Sequence, residues 1–222
     1  MLKIVVFDCG YGGEFFADKL KEDLPIIEII RVIDWRNADK YLKSPKLARK
    51  YATEALRPYL GRVDLIVLAN HLLGITSLKY FCRKYKNQKF LGFSLKQPDS
   101  FIKHDVLILT TQAVTKTKSY YNYLFQLKRK TKTLSLDSWP LKIDDGELTR
   151  EEIRTTILSP LLKEDFRPKE IVLACSQFND IKPDLKAIFG QTIKIYDCYE
   201  DTIRAICRTL KIRGGTGKKS KL

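Results

Sequence analysis

Ile171-Val172-Leu173-Ala174-Cys175-Ser176-Gln177-Phe178 runs four apolar residues straight into a thiol, a hydroxyl and an amide. A short apolar run bounded in this way suits a strand buried on both faces of a parallel sheet. Ligands of such sheets bind just past the carboxyl ends of the strands. Cys175 therefore stands where a reactive thiol would meet a small substrate. Leu65-Ile66-Val67-Leu68-Ala69-Asn70-His71 repeats the pattern and ends in an amide and an imidazole. Lys3-Ile4-Val5-Val6-Phe7-Asp8-Cys9-Gly10 repeats it again and ends in a carboxylate and a second thiol.

Outward from these stretches, strand-like and helix-like segments alternate. Strands are expected at 4–7, 26–32, 65–69 and 90–93, and again at 106–109, 133–136, 171–174 and 193–196. Helices are expected at 14–22, 46–60, 74–85, 116–128, 149–162, 183–189 and 200–210, with Gly10-Tyr11-Gly12-Gly13 a tight turn before the first. Ser44 with Pro45 supplies a cap and a first-turn proline, and Pro58 is placed to end that helix early. Thr149 followed by Glu151 and Glu152 marks another helix start. The alternation predicts an α/β fold of two pseudo-symmetric lobes, each a four-stranded, mostly parallel sheet flanked by helices, with a cleft between them. The first lobe is read as 1–95 together with 200–212 and the second as 96–199. Residues 213–222, rich in Gly and Lys, are read as a disordered basic tail.

The 222 residues, 44% hydrophobic, suffice for a sizeable core. No apolar run approaches the roughly 20 residues of a membrane span, and Met1 leads directly into a strand-like run, so neither a membrane segment nor a signal peptide is expected. The five cysteines are odd in number, scattered and without a CxxC pair, which points to a reduced, cytoplasmic protein without a disulfide frame or structural zinc. No His, Cys and carboxylate cluster has metal-ligand spacing, so no metal is expected. The net charge of +15 invites a nucleic-acid reading. However, the basic residues lie mostly inside helix-like patterns such as Lys46, Arg49, Lys50, Lys84 and Lys128, and no nucleic-acid motif accompanies them. The expectation is a solvated basic surface whose contacts with nucleic acid are non-specific.

Among chemistry-bearing residues Cys175 leads. A thiolate forms near neutrality when a helix N-terminus or a cation lowers the thiol's pKa, and a turn after a parallel strand can supply that terminus. The alternative is a buried, inert cysteine. Asp8, Cys9, Gly10, Gly12 and Gly13 read either as an anion cradle or as a plain tight turn. His71 reads as a general base, a substrate donor or a structural histidine.

Together these strand ends resemble the aspartate/glutamate racemase superfamily, most closely glutamate racemase. The family's opening D-S-G-x-G-G corresponds to Asp8-Cys9-Gly10-Tyr11-Gly12-Gly13, its A-C-N-T to Ala69-Asn70-His71-Leu72, and its G-C-T-H-Y-P to Ala174 through Asn179. A G-T-x-x-T-x-x-S-x-x-Y pattern is loosely matched from Thr110-Thr111 to Tyr120. A P-L-V-E-x-G stretch is matched by Pro140 through Gly146 with one extra residue. The resemblance implies a cofactor-independent enzyme in which two thiols face each other across a substrate carbon, one taking the α-proton and the other returning one. Here the second thiol is Cys175, while Asn70 stands in place of the first, Gln177 in place of a histidine, and Asp144 at the family's carboxylate.

The substrate-anchoring set is altered as well: Cys9 replaces a serine, Lys40-Tyr41-Leu42 a P-Y-G, and Ser176 a threonine, while Asp8 is retained. The implied catalytic set is Cys175, Cys9, Asp8 and His71, with Asn70, Tyr41, Thr111, Ser176 and Gln177 binding a small carboxylate or amino acid. Three readings stay open. In the first, Cys9 or His71 replaces the missing thiol in an altered racemase. In the second, Cys175 alone protonates one face, as in the similar arylmalonate decarboxylases, with Ser176, Thr111 and Gln177 donating to an oxyanion. In the third, the fold only binds a ligand or partner. A homodimer is compatible with each.

Overall fold

The computed structural model describes residues 1–41, 43–95, 104–127 and 129–212. The tail expected to be disordered, together with Leu42 and Lys128, lies outside them. Strands β1 (Lys3–Asp8), β2 (Glu28–Ile33), β3 (Leu65–Leu68) and β4 (Phe90–Gly92) form one sheet in the order β2-β1-β3-β4. Strands β5 (Val106–Thr110), β6 (Thr131–Ser135), β7 (Glu170–Leu173) and β8 (Lys194–Tyr196) form the other in the order β6-β5-β7-β8. Every pairing is parallel. The second sheet repeats the order of the first, which is the two-lobe α/β architecture expected from the alternation.

The central strands β1, β3, β5 and β7 have neighbours on both sides and helices on both faces. Hence they read as unbroken apolar runs and are buried along almost their whole length. Parallel pairing requires crossovers, and helices supply them. In the first lobe these are α1 (Tyr11–Asp23), α2 (Ala38–Tyr41), α3 (Pro45–Leu56) and α4 (His71–Lys84). In the second they are α5 (Gln112–Thr115), α6 (Lys118–Leu127), α7 (Trp139–Asp144), α8 (Arg150–Lys163) and α9 (Lys182–Phe189). The last helix, α10 (Tyr199–Leu210), packs against α1 and β4.

One apolar layer is continuous across both lobes. It joins Phe7, Ala52 and Leu68 of the first lobe to Ile108, Tyr123 and Val172 of the second. Separate layers cover the outer faces, under α1 and α10 in one lobe and under α7, α8 and α9 in the other.

Local chemistry sets the helix starts. Ser44 Oγ accepts the Leu47 N–H at 3.2 Å and Thr149 Oγ1 accepts that of Glu152 at 3.2 Å, as their spacing suggests. Several elements differ from the sequence reading, α2 and α5 being additional short helices, and three of the differences bear on the site. Helix α1 begins at Tyr11, so Gly12 and Gly13 form its first turn rather than a loop. Helix α4 begins at His71 instead of residue 74, because Asn70 Oδ1 accepts the Leu73 N–H at 3.1 Å and caps it. Helix α7 is too short to show a period in sequence. Among the described residues no helix is long and apolar enough to cross a membrane.

Gly74 fixes how α4 lies on β4: a Cβ there would stand 2.0 Å from the Phe93 carbonyl oxygen and 2.8 Å from its nitrogen. Helix propensity alone makes Gly→Ala favourable by about 1 kcal/mol. The clash is with backbone that is itself bonded, Phe93 N–H to Leu68 O at 3.0 Å, so it cannot yield cheaply. Gly74→Ala is expected to destabilise by about 2 kcal/mol or more in urea denaturation. A stabilised variant would show that α4 slides freely on the sheet.

Candidate active site

The carboxyl ends of β1, β3, β5 and β7 meet where the two lobes touch. They line a narrow cavity of about 30 Å³ bounded by Cys9, Tyr41, Asn70, His71, Thr111, Asp144, Cys175, Ser176 and Gln177, among others. This brings together eight of the nine residues singled out from sequence. The ninth, Asp8, is fully buried beneath them and bonded to three of their groups. The two thiols reach the cavity from opposite lobes, Cys9 from the end of β1 and Cys175 from the end of β7.

Asp8 is the hub. One oxygen accepts the Cys9 N–H at 2.7 Å and Asn70 Nδ2 at 3.1 Å. The other lies 2.7 Å from Ser176 Oγ, so the carboxyl bridges the lobes. Burial outweighs these donors and raises its pKa to about 7. Asn70 Nδ2 also approaches Cys9 Sγ at 3.4 Å. Asn70, at the end of β3, therefore touches the thiol that lies one strand over.

On the opposite lobe Gln177 Oε1 lies 3.1 Å from Cys175 Sγ and 3.0 Å from Ser176 Oγ. The Gln177 side chain also hydrogen-bonds Asp144. Since carboxylate oxygens only accept, this assigns Nε2 to Asp144 and Oε1 to the thiol. Asp144 accepts the Tyr11 N–H at 3.1 Å, and burial raises its pKa to about 6. Ser176 has one proton for two acceptors. When Asp8 is protonated the network closes: Asp8 donates to Ser176, Ser176 to Gln177, and Cys175 S–H also to Gln177.

One expectation is corrected. Cys175 has no regular helix N-terminus to lower its pKa. A single 3₁₀ turn, Gln177–Asn179, follows the strand, and α9 starts only at Lys182. Burial first, then Asp8 and Asp144, push the thiol up. Burial and the same carboxylates also hold Cys9 well above its usual value. Both cysteines rest as neutral thiols.

His71 is buried at the first position of α4. Its Nε2 lies 3.5 Å from Cys198 Sγ, its ring meets Phe93 edge-on, and Nδ1 has no hydrogen-bond partner among the described residues. Burial lowers its pKa to about 3, so it stays neutral. The Tyr41 hydroxyl donates to Asp34 at 2.8 Å, leaving its ring to line the cavity. Thr111 follows β5 at the N-cap of α5 and is buried.

The glycines of the opening motif serve packing rather than a cradle. A Cβ on Gly12 would fall 2.3 Å from Ser176 Cβ, and one on Gly10 would fall 2.4 Å from both Asp144 Oδ2 and Gln177 Nε2. Sequence reasoning missed Tyr199, whose hydroxyl donates to the Gly12 carbonyl at 3.0 Å from a helix 187 positions away. No local signal could reveal that contact. Pro140 and Leu141 of α7 also line the cavity. Among the described residues no group of three or more His, Cys, Asp or Glu is placed to hold a metal ion.

No family model matches the sequence. The glutamate racemase of Prochlorococcus marinus is 24% identical over 204 residues, 88% of this chain and 75% of the relative. That of Clostridium perfringens is 23% identical over 214 residues, 92% of this chain and 82% of the relative. Escherichia coli glutamate racemase, solved with L-glutamate and its activator UDP-MurNAc-Ala, superposes with a TM-score of 0.81 at 18% identity, covering 99% of this chain and 86% of that one. Picrophilus torridus aspartate racemase does so with a TM-score of 0.62 at 16% identity, covering 96% and 95%. With glutamate racemases as low-identity relatives along most of its length and their two-lobed fold, the chain is similar to the aspartate/glutamate racemase superfamily.

Proposed function

We propose that the chain is a cofactor-independent, glutamate-racemase-like enzyme. It acts on a small amino acid or carboxylate by proton transfer between Cys9 and Cys175, with ordinary glutamate racemisation altered or reduced. The supporting observation is that thiols from both lobes line one cavity, with Asn70, which the resemblance sets at the first thiol position, 3.4 Å from Cys9 Sγ. The thiols differ in one respect that sets the chemistry. Cys9 hydrogen-bonds Asp8, a carboxyl with a pKa of about 7, whereas Cys175 is bonded to a neutral amide.

Asp8 takes the Cys9 thiol proton, and the thiolate takes the α-proton of the substrate. The released electron pair delocalises into the substrate carboxylate. Cys175 S–H delivers its proton to the opposite face and is left as thiolate. Asp144 lines the cavity, Asp8 lies beneath it, and among the described residues no Lys or Arg lines the cavity. The substrate carboxylate is therefore assigned to the first-turn N–H groups of α4, at His71 and Leu72. The substrate ammonium is assigned to Asp144, where its charge favours both thiolates. His71 is the weaker candidate for a base, since its Nε2 faces Cys198.

Slow alkylation of Cys175 is expected whether or not the protein is an enzyme, because the thiol is buried. The discriminating measurement is α-proton exchange in heavy water followed by NMR, with both enantiomers of glutamate and aspartate. Exchange with inversion supports two-thiol chemistry. Exchange without inversion supports the one-thiol reading. No exchange with any of the four would overturn the proposal for these amino acids and favour the binding reading.

A further inference from the structure

The net charge of this protein is not spread evenly. Between residues 65 and 136 the only carboxylates in the sequence are Asp99 and Asp105. Helices α3, α4, α5 and α6 pack in succession and continue from one lobe to the other. Their outer surface carries Lys46, Lys50, Lys79, Arg83, Lys84 and Lys118, all exposed, with Glu54 the one acidic residue in these helices. None of these cations takes part in an ion pair among the described residues. Beside α1 and α10 several cations have carboxylate partners: Arg31 bonds Glu14 and Asp18, Lys19 bonds Asp23, and Arg204 bonds Asp201. The named cations of α3, α4 and α6 have no carboxylate partner among the described residues, Lys50 and Lys84 lying instead over tyrosine rings.

Two further features lie on the basic face. A groove of about 540 Å³ runs between α4 and the α5–α6 corner, with Lys79, Lys116 and Lys118 among its lining residues. Beside it α6 buries Tyr120 and Tyr123 but presents Tyr121 and Phe125 to solvent, 63% and 86% exposed. These two rings are four residues apart, hence on one helix face and about 6 Å apart along the axis.

We propose that this face binds single-stranded nucleic acid, with the backbone following the lysine-lined groove and bases stacking on Tyr121 and Phe125. Unpaired cations beside exposed aromatic faces are what a flexible polyanion with free bases requires. A duplex would use the cations but has no free base for the rings. A second copy of this chain meeting the same face two-fold would set like charges against each other. A membrane is disfavoured because the rings stand among Lys118, Asn122 and Gln126 rather than in an apolar stripe. The sequence reading allowed only non-specific contacts, because it could not see these helices share one side.

The test uses the full chain, a fluorescent 20-nucleotide oligouridine and a duplex of equal length, read by anisotropy over a salt series. The single strand is expected to bind with an affinity that falls steeply with salt. Tyr121→Ala with Phe125→Ala should weaken the single strand at least about tenfold and leave the duplex nearly unchanged. Lys79→Glu, Lys116→Glu and Lys118→Glu together should weaken both at least tenfold. The same charge change at Arg154, Lys163 and Lys186, exposed on other helices, should cost much less. Equal losses from the two triple variants would overturn the proposal. So would an aromatic variant that binds normally, a preference for phosphatidylserine vesicles over the oligonucleotide, or a wild-type dimer that the aromatic variant converts to monomer.

Discussion

Asp8→Asn is expected to lower α-proton exchange at least about a hundredfold while making the protein more stable above neutral pH. The two effects have one origin. In the native state Asp8 keeps its proton to about pH 7, whereas its unfolded value is 3.8. Between those values the native state binds more protons than the unfolded chain, so stability falls as pH rises. The fall begins near pH 4 and is complete just above pH 7. The three-unit displacement corresponds to about 4 kcal/mol at full ionisation. Asparagine cannot ionise and reproduces the protonated carboxyl. Its oxygen accepts from Cys9 N–H and Asn70, and its amide donates to Ser176, which then donates to Gln177. The stabilisation should therefore be small at pH 4.5 and a few kcal/mol at pH 8, read by urea denaturation at both.

Activity should move the other way. The wild type should gain exchange rate as pH rises through about 7, when Asp8 becomes able to take the Cys9 proton. The asparagine variant should be slow and lack that rise. A variant that keeps both rate and pH profile would remove Asp8 from the proton path. A variant no more stable than wild type at pH 8 would mean that Asp8 is already neutral there or that its charge is compensated.

The framework of this site was legible because strand ends carry it. An apolar run followed by a polar residue is a local signal, and parallel topology carries each such end to one rim. Asp8, Cys9, Asn70, His71, Cys175, Ser176 and Gln177 stand out from their positions at strand ends. Tyr41 and Thr111 come with the family resemblance.

What stayed hidden depends on contacts between distant segments. Gly12 was read as loop because glycine marks turns, yet here the missing side chain admits Ser176 of the other lobe. Whether Cys175 is an activated or a buried, inert thiol is not decided by sequence, because the nature of the turn after β7 and the depth of burial are tertiary facts. The basic face was hidden for the same reason. Lysines at helical spacing are solvated surface until two lobes put four such helices side by side.

The largest difference between single variants should appear when the two thiols are removed separately. The Cys9 thiol has Asp8 as its base and Asn70 as its neighbour. The Cys175 thiol is bonded to Gln177, whose amide takes no proton near neutral pH. Cys9 is thus built to accept the substrate proton and Cys175 to donate one. Cys9→Ala should abolish exchange with the enantiomer whose α-hydrogen faces β1, a loss of at least about a thousandfold. Cys175→Ala leaves abstraction possible, so solvent deuterium should still return through Cys9 to the same face. Exchange without inversion then survives in that variant, while racemisation is lost. Both variants replace one small buried side chain and should fold, which circular dichroism and the urea midpoint will verify. Equal loss of exchange from both variants with both enantiomers would mean that the thiols are equivalent bases. Loss in Cys175→Ala alone would return Cys9 to a packing role and leave the one-thiol reading in force.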